Sequence, residues 1–319
     1  MNDEAQIGRT LLAIYAAMEN VEFPDFQETV FEQLKDLMSF NAGIWGMGTM
    51  VQGLPQPHHI HLHRRPPDFM ASWEKIKSED ILVGAALQGN GRPLRSTLSD
   101  AVWDQSPGVR AHCAQHDIGH VLCVFLLDAQ LGLYHFISVY QSAQETGFSE
   151  REQRIMGILA PHLAQSINVS RMRQLRTAAS PAGHERYAVM DGHGLLYQAD
   201  GGFLEMLRRE WAHWCGPELP SAIASLRSKP HKWAGAHIVV KVAPVKDMFL
   251  LSIRATTAAD GLTQREQQVA QQFTRGKTHK EVAQTLGISP ATVRNHLQTI
   301  YTKLQISDKA QLAAQIQGL

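Results

Sequence analysis

The 319-residue chain has few cysteines and no long apolar run. Its three cysteines, Cys113, Cys123 and Cys215, are an odd number without a close pairing pattern, which argues against a disulfide framework and for a reducing compartment. The apolar run Val121 to Leu127 is far shorter than the roughly 20 residues that cross a bilayer, and the N-terminus lacks the basic start of a signal peptide. We therefore expect a cytoplasmic protein without a membrane partner.

The chain also has no excess of charge of either sign. Lys and Arg together number 30, and Asp and Glu together number 30, so the global charge gives no information about a nucleic-acid partner. The local charge is informative, because from Gly261 onward seven basic residues stand against three acidic ones, a net charge of +4. This modest positive footprint at the C-terminus is compatible with binding to nucleic acid.

Two signalling chemistries are missing from the sequence. Gly276-Lys277-Thr278 resembles the end of a phosphate-binding loop, but Gln271 stands where that pattern requires glycine. A phosphoryl receiver domain would open with an apolar strand ending in paired acids, whereas this chain opens with helical apolar spacing. We therefore predict neither nucleotide hydrolysis nor control by phosphorylation of an N-terminal Asp, and we expect no catalysis and no cofactor.

The C-terminus contains a helix with a well-marked start and two different faces. Ser289 can cap the first turn and Pro290 suits the first helical position. Apolar side chains at helical spacing predict a buried stripe of Val293, Leu297, Ile300 and Leu304. The opposite face carries no carboxylate and offers side chains that pair with base edges in the major groove, namely Arg294, Asn295 and Gln298. An ordinary solvated helix face is the alternative.

Further helix signals surround this segment. Two capping boxes, each a Thr with a Glu three residues on, predict helix starts at Thr263 and Thr278. Gly287 suits the left-handed stop between the second helix and the third, and Ser307 predicts the start of a last helix. A short helix, a tight turn and a second helix form the helix-turn-helix arrangement, in which the second helix enters the major groove.

From about Gly261 to Leu319 the chain resembles the C-terminal DNA-binding domain of LuxR-type transcription factors. The DNA-binding region 4 of sigma factors is similar in the early part, but His296, the Lys303-Leu304 pair and a fourth helix favour the LuxR type. The matching positions are Leu262-Thr263, Glu266, Val269, Gly276, Glu281-Val282-Ala283, Leu286, Ile288-Ser289, Thr292-Val293, His296, Ile300 and Lys303-Leu304.

The resemblance implies a sequence-specific transcriptional regulator that binds double-stranded DNA. Its expected DNA contacts are Lys280, Ser289, Thr292, Arg294, Asn295, His296, Gln298 and Lys303. Among these, Arg294, Asn295 and Gln298 would face bases, and Lys280, Thr292, His296 and Lys303 would face phosphates. The resemblance also implies a homodimer that pairs through the fourth helix, Asp308 to Ile316, and admits RNA polymerase as a further partner.

The N-terminal part is similar to a GAF-type sensor domain in the order of its elements. Two packing helices come first, then a hairpin, a variable helical middle, a second hairpin and a long closing helix that Ser149 and Glu152 cap. The predicted strands are Gly43 to Val51, His58 to His63 after a Gly-Leu-Pro-Gln-Pro turn, His120 to Leu127 and Leu133 to Tyr140. We therefore predict a GAF-like αβα sensor domain over residues 1–176.

Two stretches of small residues predict linkers, Thr177 to Gly183 and Ala255 to Gly261. Between them, two hairpins and a helix predict a small PAS-like α+β middle domain over residues 184–256. An all-α, four-helix LuxR-type domain over residues 261–319 completes an α+β protein. The middle domain is short, so a degenerate spacer is an alternative to a second sensor.

A sensor of this type holds its ligand between the sheet and the variable helical middle. The candidate wall is apolar and aromatic and comprises Ile44, Trp45, Met47, Phe69, Trp73, Phe125, Tyr134 and Phe136. Such a lining suits a small, largely apolar or aromatic molecule, although the same residues could fill an ordinary core. The related regulators that bind homoserine lactones hold the ligand with the help of an Asp-Pro pair. In this chain Asp80 is followed by Ile81. We therefore do not expect lactone binding.

Two histidine patterns suggest metal ligands. His59, His61 and His63 alternate along one predicted strand, and His112 and His116 lie four apart on a predicted helix. No carboxylate or close Cys pair near them in sequence completes either set, so we predict an exposed polar strand face and no metal site. A metal- or redox-sensing regulator and a ligand-free regulator controlled by protein contacts are the alternatives. Cys123, in mid-strand, is expected to be a small core residue.

Overall fold

The protein is described by a computed structural model that covers residues 3–179, 185–228, 231–245 and 248–316, with side chains up to residue 174 in the first range. It forms two compact units. One unit comprises Met1–Ala179 with Leu195–Gln198 and Cys215–Glu218, and the other comprises Ser180–Gly194, Ala199–Trp214 and Leu219–Leu319. Within the described ranges, no helix is both long and apolar enough to cross a membrane.

The first unit is a five-stranded antiparallel sheet with helices before, between and after its strands. Its strands run in the spatial order β2-β1-β5-β4-β3. The strands are β1 (Ala42–Val51), β2 (Leu54–His63), β3 (Leu94–Thr97), β4 (His120–Asp128) and β5 (Leu133–Gln141). The helices are α1 (Asp3–Asn20), α2 (Phe23–Leu34), α3 (Phe69–Glu74), α4 (Ile81–Gly89), α5 (Pro107–Gln115) and α6 (Glu150–Ala179).

Helices cover both faces of this sheet. On one face α1, α2 and α6 pack against Trp45 and Ile137, and on the other α3, α4 and α5 pack against Phe125 and Phe136. The predicted apolar stripe of α6 is buried, with Ile155, Leu159, Leu163, Ile167 and Met172 all at most 7% exposed. Successive residues of a strand point to opposite faces, so β1, β4 and β5 each contribute to both cores. The predicted αβα arrangement is therefore confirmed.

The first hairpin differs from its prediction. The predicted Gly-Leu-Pro-Gln-Pro turn is mostly strand, because β2 begins at Leu54 and the turn between β1 and β2 consists of Gln52 and Gly53. Both turn residues have positive φ, at 52° and 79°, as in the tight turns that favour the twist of a hairpin. Pro55 and Pro57 are tolerated because β2 is an edge strand, and the pairing register shifts between Met47 and Gly48.

The predicted variable middle of the first unit contains a helix and a short strand between α3 and α5. Helix α4 starts where the Asp80 side chain accepts the backbone N–H groups of Leu82 and Val83, and β3 pairs with β4. Asp80 is not followed three residues later by the Glu of a capping box, and apolar residues lie on several sides of α4. The start of this helix is therefore difficult to predict from the sequence. At the end of the unit, α6 runs to Ala179, beyond the predicted end at 176. Residues 180–183 of the predicted linker lie outside the described residues.

The chain after α6 contains a mixed α+β part followed by four helices. In a second antiparallel sheet, β10 pairs with β6 on one side and β9 on the other, and β8 pairs with β9. The strands are β6 (Arg186–Met190), β7 (Leu196–Ala199), β8 (Lys232–Ala234), β9 (Ile238–Val245) and β10 (Met248–Ala255). The helices are α7 (Gly201–Glu210), α8 (Ser221–Ala224), α9 (Gln264–Thr274), α10 (His279–Leu286), α11 (Pro290–Leu304) and α12 (Lys309–Ile316).

The second predicted linker is ordered rather than a plain spacer. Ala258–Gly261 is a 3-10 turn in which Thr257 and Asp260 form a capping box. Both guanidinium Nη atoms of Arg254 donate to Asp260 at 2.6 Å, and the Asp260 side chain is only 7% exposed. Burial raises the pKa of Asp260, but the hydrogen bonds from Arg254 and Thr257 outweigh it and hold the pKa at about 2. An ion pair therefore fixes the start of the helical part against β10.

Candidate nucleic-acid interface and ligand cavity

Helices α10 and α11 and the turn between them form a helix-turn-helix. The Thr278 side chain accepts from the backbone N–H of Glu281, and the Glu281 carboxylate accepts from that of Thr278. Gly287 ends α10 with φ of 64°, a left-handed conformation that glycine adopts without steric cost. Ser289 Oγ then accepts the N–H of Thr292 at 3.0 Å and opens α11. The predicted caps are confirmed at these three positions.

Helix α11 has one buried and one exposed face. Val293, Leu297, Ile300 and Leu304 are at most 5% exposed and belong to the core of the four helices. On the other side Arg294, Asn295 and Gln298 are exposed, and His296 is half-buried. The helix therefore presents guanidinium and amide groups to solvent, which are the groups that read base edges.

The other expected DNA contacts are placed unequally. Lys280 is exposed in the first turn of α10. Ser289 and Thr292 share a hydrogen bond of 2.8 Å between their hydroxyls, so both side chains already take part in the cap of α11. Arg294 and Gln298 also border a groove with Phe273, His279, Leu297, Tyr301, Thr302 and Ile306, which sequence periodicity did not single out.

Lys303 has a partner that the sequence did not reveal. Its Nζ donates to Glu266 Oε2 at 2.8 Å, and the Glu266 side chain is 6% exposed. Burial raises the pKa of Glu266, but the hydrogen bonds from Lys303 and Thr263 outweigh it, and the pKa lies below its ordinary value. Lys303 thus joins the end of α11 to the start of α9, while its side chain remains 39% exposed.

The last helix starts differently from its prediction. Its N-terminal residue is Lys309, and the Asp308 carboxylate rather than Ser307 accepts the N–H of Gln311, at 2.8 Å. Asp and Ser are both good caps, so the choice between adjacent candidates depends on how the chain leaves α11. Leu312 and Ile316 are buried in the core as predicted, and Ala310, Gln311 and Ala314 are exposed.

The first unit contains a cavity between its sheet and helices α3 to α5. Its volume is about 80 Å³, several times the roughly 10–15 Å³ that one water molecule requires. Six of the eight residues predicted for the ligand wall line it: Ile44, Phe69, Trp73, Phe125, Tyr134 and Phe136. Further lining residues include Val83, Trp103, Val109 and Tyr140, which the sequence did not single out.

Trp45 and Met47 were wrongly included in the predicted wall. Both point to the face of β1 opposite the one that carries Ile44, because side chains alternate along a strand. Trp45 is 1% exposed and packs between the rings of Phe26 and Phe31, at 6.2 and 6.3 Å between ring centroids. Trp45 and Met47 are therefore absent from the lining of the cavity.

A few polar groups face the otherwise apolar cavity. Trp73 Nε1 donates to Asp80 Oδ2 at 2.9 Å, and burial raises the pKa of Asp80. Burial also lowers the pKa of His112 to about 4, which favours its neutral form. Ser138 completes this polar set on the sheet side. An apolar cavity with a few convergent polar groups is the usual form of a small-molecule site.

Two cysteines line the same cavity. Cys113 and Cys123 are 7% and 2% exposed, so Cys123 is a core residue as predicted. Burial raises the pKa of the Cys113 thiol to about 12 and that of Cys123 further. Both thiols are therefore protonated near neutral pH, which disfavours redox chemistry because the thiolate is the reactive form.

The two histidine patterns have different surroundings. His112 Nδ1 and His116 Nε2 lie 2.9 and 3.1 Å from the hydroxyl of Ser72. His63 is completely buried, so the predicted exposed strand face is wrong at this position. No carboxylate near in sequence completes the strand set, but Glu28 of α2 lies 2.9 Å from both His61 Nε2 and His63 Nδ1. Glu28 precedes these histidines by more than 30 residues, so sequence spacing could not place it there.

The helical C-terminus matches known proteins. The family model of bacterial regulatory proteins, luxR family, matches residues 260–315. The transcriptional regulatory protein UhpA of Escherichia coli (strain K12) is 42% identical over 59 residues, which are 18% of this chain and 30% of UhpA. The spore germination protein GerE of Bacillus subtilis (strain 168) is 38% identical over 55 residues, which are 17% of this chain and 74% of GerE. The chain thus belongs to the luxR family of bacterial regulatory proteins.

The matches to UhpA and GerE each cover less than a fifth of this chain. This chain covers less than a third of the length of UhpA, while most of GerE is covered. Among solved structures, a crystal structure of Escherichia coli SdiA is similar over 95% of this chain and 94% of SdiA, at 13% identity and a TM-score of 0.39.

Proposed function

We propose that the protein is a sequence-specific DNA-binding transcriptional regulator in which α11 lies in the major groove. The observation that carries this proposal is the exposed face of α11, where Arg294, Asn295 and Gln298 stand together on a helix whose opposite face is buried. Arg294 reads a base, and Lys280 neutralises a phosphate from the first turn of α10. Because DNA is the partner, the protein acts in the cytoplasm.

The base-reading role of Arg294 is tested by measuring affinity for a site selected from random DNA and for unrelated DNA. Arg294→Ala is expected to cost about 1–3 kcal/mol on the selected site and little on unrelated DNA. Arg209→Ala, which removes an exposed charge from α7, is the charge-matched control and leaves both affinities unchanged. Equal losses on both DNAs after Arg294→Ala would show that Arg294 contacts only the backbone.

The two lysines of the interface are expected to differ. Lys280→Ala weakens binding to both DNAs and reduces the slope of log affinity against log salt by about 1. Lys303 shares its charge with Glu266, so its removal reduces the slope less. The same slope change for both variants would contradict this distinction.

The cavity of the first unit is the proposed site of the controlling signal. Its apolar and aromatic lining, with Trp73, Asp80 and His112 as polar groups, suits a small, largely apolar or aromatic molecule. Binding there favours one arrangement of the regulator over another rather than touching DNA. The predicted domains, residues 1–176, 184–256 and 261–319, are then sensor, middle and DNA-binding parts.

Tryptophan fluorescence tests this site with a panel of small aromatic and aliphatic compounds. A true ligand changes the emission of the two cavity tryptophans, Trp73 and Trp103, and raises the melting temperature, and Trp73→Phe combined with Trp103→Phe removes most of the emission change. Trp45 lies in the opposite core, so Trp45→Phe is the control and retains the response. A response that depends on Trp45 and not on Trp73 or Trp103 would place the ligand elsewhere.

We further propose a homodimer that places two α11 helices about one DNA turn apart on an inverted repeat. The exposed side of α12, with Ala310 and Ala314, is the proposed contact, since Leu312 and Ile316 already belong to the core. Light scattering at micromolar protein, with and without the selected DNA, measures the stoichiometry. Two chains per site support the proposal, and one chain per site would refute it. RNA polymerase is the proposed further partner of the DNA-bound form.

A further inference from the structure

We propose that His63 and Glu32 bind a divalent first-row transition-metal ion at the junction of α2 and β2, with Glu28 orienting His63 and His61 orienting Glu28. One potential ligand atom from each of Glu28, Glu32 and His63 lies within 4.8 Å of the other two. None of the four residues lines the cavity of the first unit. The proposed site is therefore separate from the proposed signal site and does not depend on it.

His63 is the side chain that points to an ion here. It is completely buried, and its ring stacks on Phe31 with 4.8 Å between centroids and 14° between planes, so its orientation is fixed. Nδ1 donates to Glu28, which leaves Nε2 of the neutral ring with a free lone pair. Nε2 is buried without a hydrogen-bond partner.

The lone pair of Nε2 faces another acceptor. Glu32 Oε1 lies 3.9 Å away, too far for a hydrogen bond and without a proton to share if both groups are in their ordinary forms. An ion bound by one imidazole nitrogen and one carboxylate oxygen has bonds of about 2.0–2.2 Å, so its two ligands can lie up to roughly 4 Å apart. The observed separation is within that reach, and a cation between the two atoms would satisfy both.

The neighbouring groups have the chemistry of such a site. Imidazole with a carboxylate suits zinc and related divalent ions, and two protein ligands leave the remaining positions to water. Glu28 accepts from His63 Nδ1, the arrangement by which an outer carboxylate fixes a ligating imidazole, and His61 Nε2 donates to Glu28 Oε2 at 2.9 Å. Asp36 lines the same surface groove as Glu28 and Glu32 but is not one of the three clustered groups, so it provides a matched control.

Two cations compete for Glu32. Lys35 Nζ lies 2.7 Å and Arg64 Nη2 lies 3.2 Å from the same Oε1 atom that faces His63. A metal ion must displace at least one of them, because a carboxylate oxygen held by two cations has little charge left to share. Removal of Lys35 is therefore expected to strengthen metal binding.

The test is a titration of the chelator-treated full-length protein with Co²⁺, followed by its visible absorption, and with Zn²⁺, followed by calorimetry. We expect one ion per chain and a higher melting temperature with Zn²⁺. Glu28→Gln and Glu32→Gln each weaken binding at least about tenfold, and His61→Gln weakens it less. Asp36→Asn removes the same charge from the same groove, and His59→Gln removes another imidazole of β2; both controls retain wild-type affinity.

Glu28 and Glu32 are half-exposed, with side-chain exposures of 45% and 49%, so their variants should fold even if a His63 variant does not. Lys35→Gln provides a result in the opposite direction, a rise in affinity. The proposal is overturned if the folded wild-type protein binds no ion, if Glu28→Gln binds as tightly as wild type, or if the two controls lose as much affinity as the Glu28 and Glu32 variants. Weaker binding by Lys35→Gln would remove Glu32 from the ligand set.

Discussion

In the four C-terminal helices, each start is fixed by residues within four positions of one another, whereas the strands of the first sheet meet partners from distant parts of the chain. Thr278 and Glu281 cap α10 across three residues, and Ser289 caps α11 across the same distance. In the first unit, Ala42 of β1 pairs with Tyr140 of β5, almost a hundred residues further on. One region is built mainly from local signals and the other from non-local ones.

This difference determines where function could be located from sequence. The exposed face of α11 follows from helical periodicity, because a buried stripe fixes the opposite face. The cavity and the Glu28 cluster both require knowing which elements pack together. Glu28 comes to His61 only because α2 packs beside β2. The predictions below test how far this division holds.

The largest expected effect is in the non-local region. Ile137 is completely buried on the packed face of β5, so Ile137→Ala should lower the free energy of unfolding of the first unit by about 2–5 kcal/mol through lost burial and a new void. Ser138, the next residue, faces the cavity, and Ser138→Ala should change the free energy by less than about 1 kcal/mol. Denaturant unfolding followed by tryptophan emission measures both. Equal costs would mean that the two faces are packed alike.

Much of the fold was predictable, and the misses share a cause. The α+β class, both hairpins of the first unit, the long helix and three of the four C-terminal caps follow from period-2 and period-3.6 patterns and from capping residues. The short elements α4 and β3 were missed because neither shows a clear helical or strand periodicity of apolar residues. Trp45 and Met47 were assigned to the wrong face because the direction of the alternation in β1 depends on the packing of its neighbours. The boundaries of the domains remain predictions.

The second prediction concerns the one long-range ion pair described within the C-terminal helices. Lys303→Met leaves the buried carboxylate of Glu266 with only its cap partners, and we expect the free energy of unfolding to fall by about 1–3 kcal/mol, less than for a fully buried pair because Lys303 is 39% exposed. Lys280→Met, at an exposed position, should stay within about 0.5 kcal/mol of wild type. Circular dichroism in guanidinium measures both variants. If Lys303→Met were as stable as wild type, the stability of the C-terminal helices would not depend on this long-range ion pair.

The third prediction uses pH to test the ordered segment before α9. Asp260 has a pKa of about 2 in the folded protein and an ordinary value of 3.8, so the stabilisation from its ionised form is present above about pH 4 and is lost as the pH falls towards 2. We expect about 1–2 kcal/mol over this range, discounted for partial solvent screening. Asp260→Asn should flatten that part of the pH profile. A profile unchanged by Asp260→Asn would mean that the Arg254 pair contributes nothing.

The smallest expected effects come from two glycines that both have room for a side chain but differ in backbone conformation. A Cβ added at Gly287 or at Gly84 would meet no atom within 4 Å, so neither substitution is opposed by a clash with a neighbour. Gly287 has φ of 64°, where an L side chain is strained, and Gly287→Ala should lower the free energy of unfolding by about 1 kcal/mol. Gly84 lies inside α4, and Gly84→Ala should raise it by about 0.5–1 kcal/mol because alanine favours the helix.

Gly287→Asn should cost less than Gly287→Ala, because asparagine tolerates the left-handed conformation better than alanine. Urea unfolding of the three variants gives the signs directly. If Gly287→Ala were as stable as wild type, the left-handed stop would not be needed to end α10, and the turn that sets α11 against α10 would have to be held by packing of Ile288 and Leu286 instead. In that case the helix-turn-helix would depend on non-local contacts, as the first sheet does.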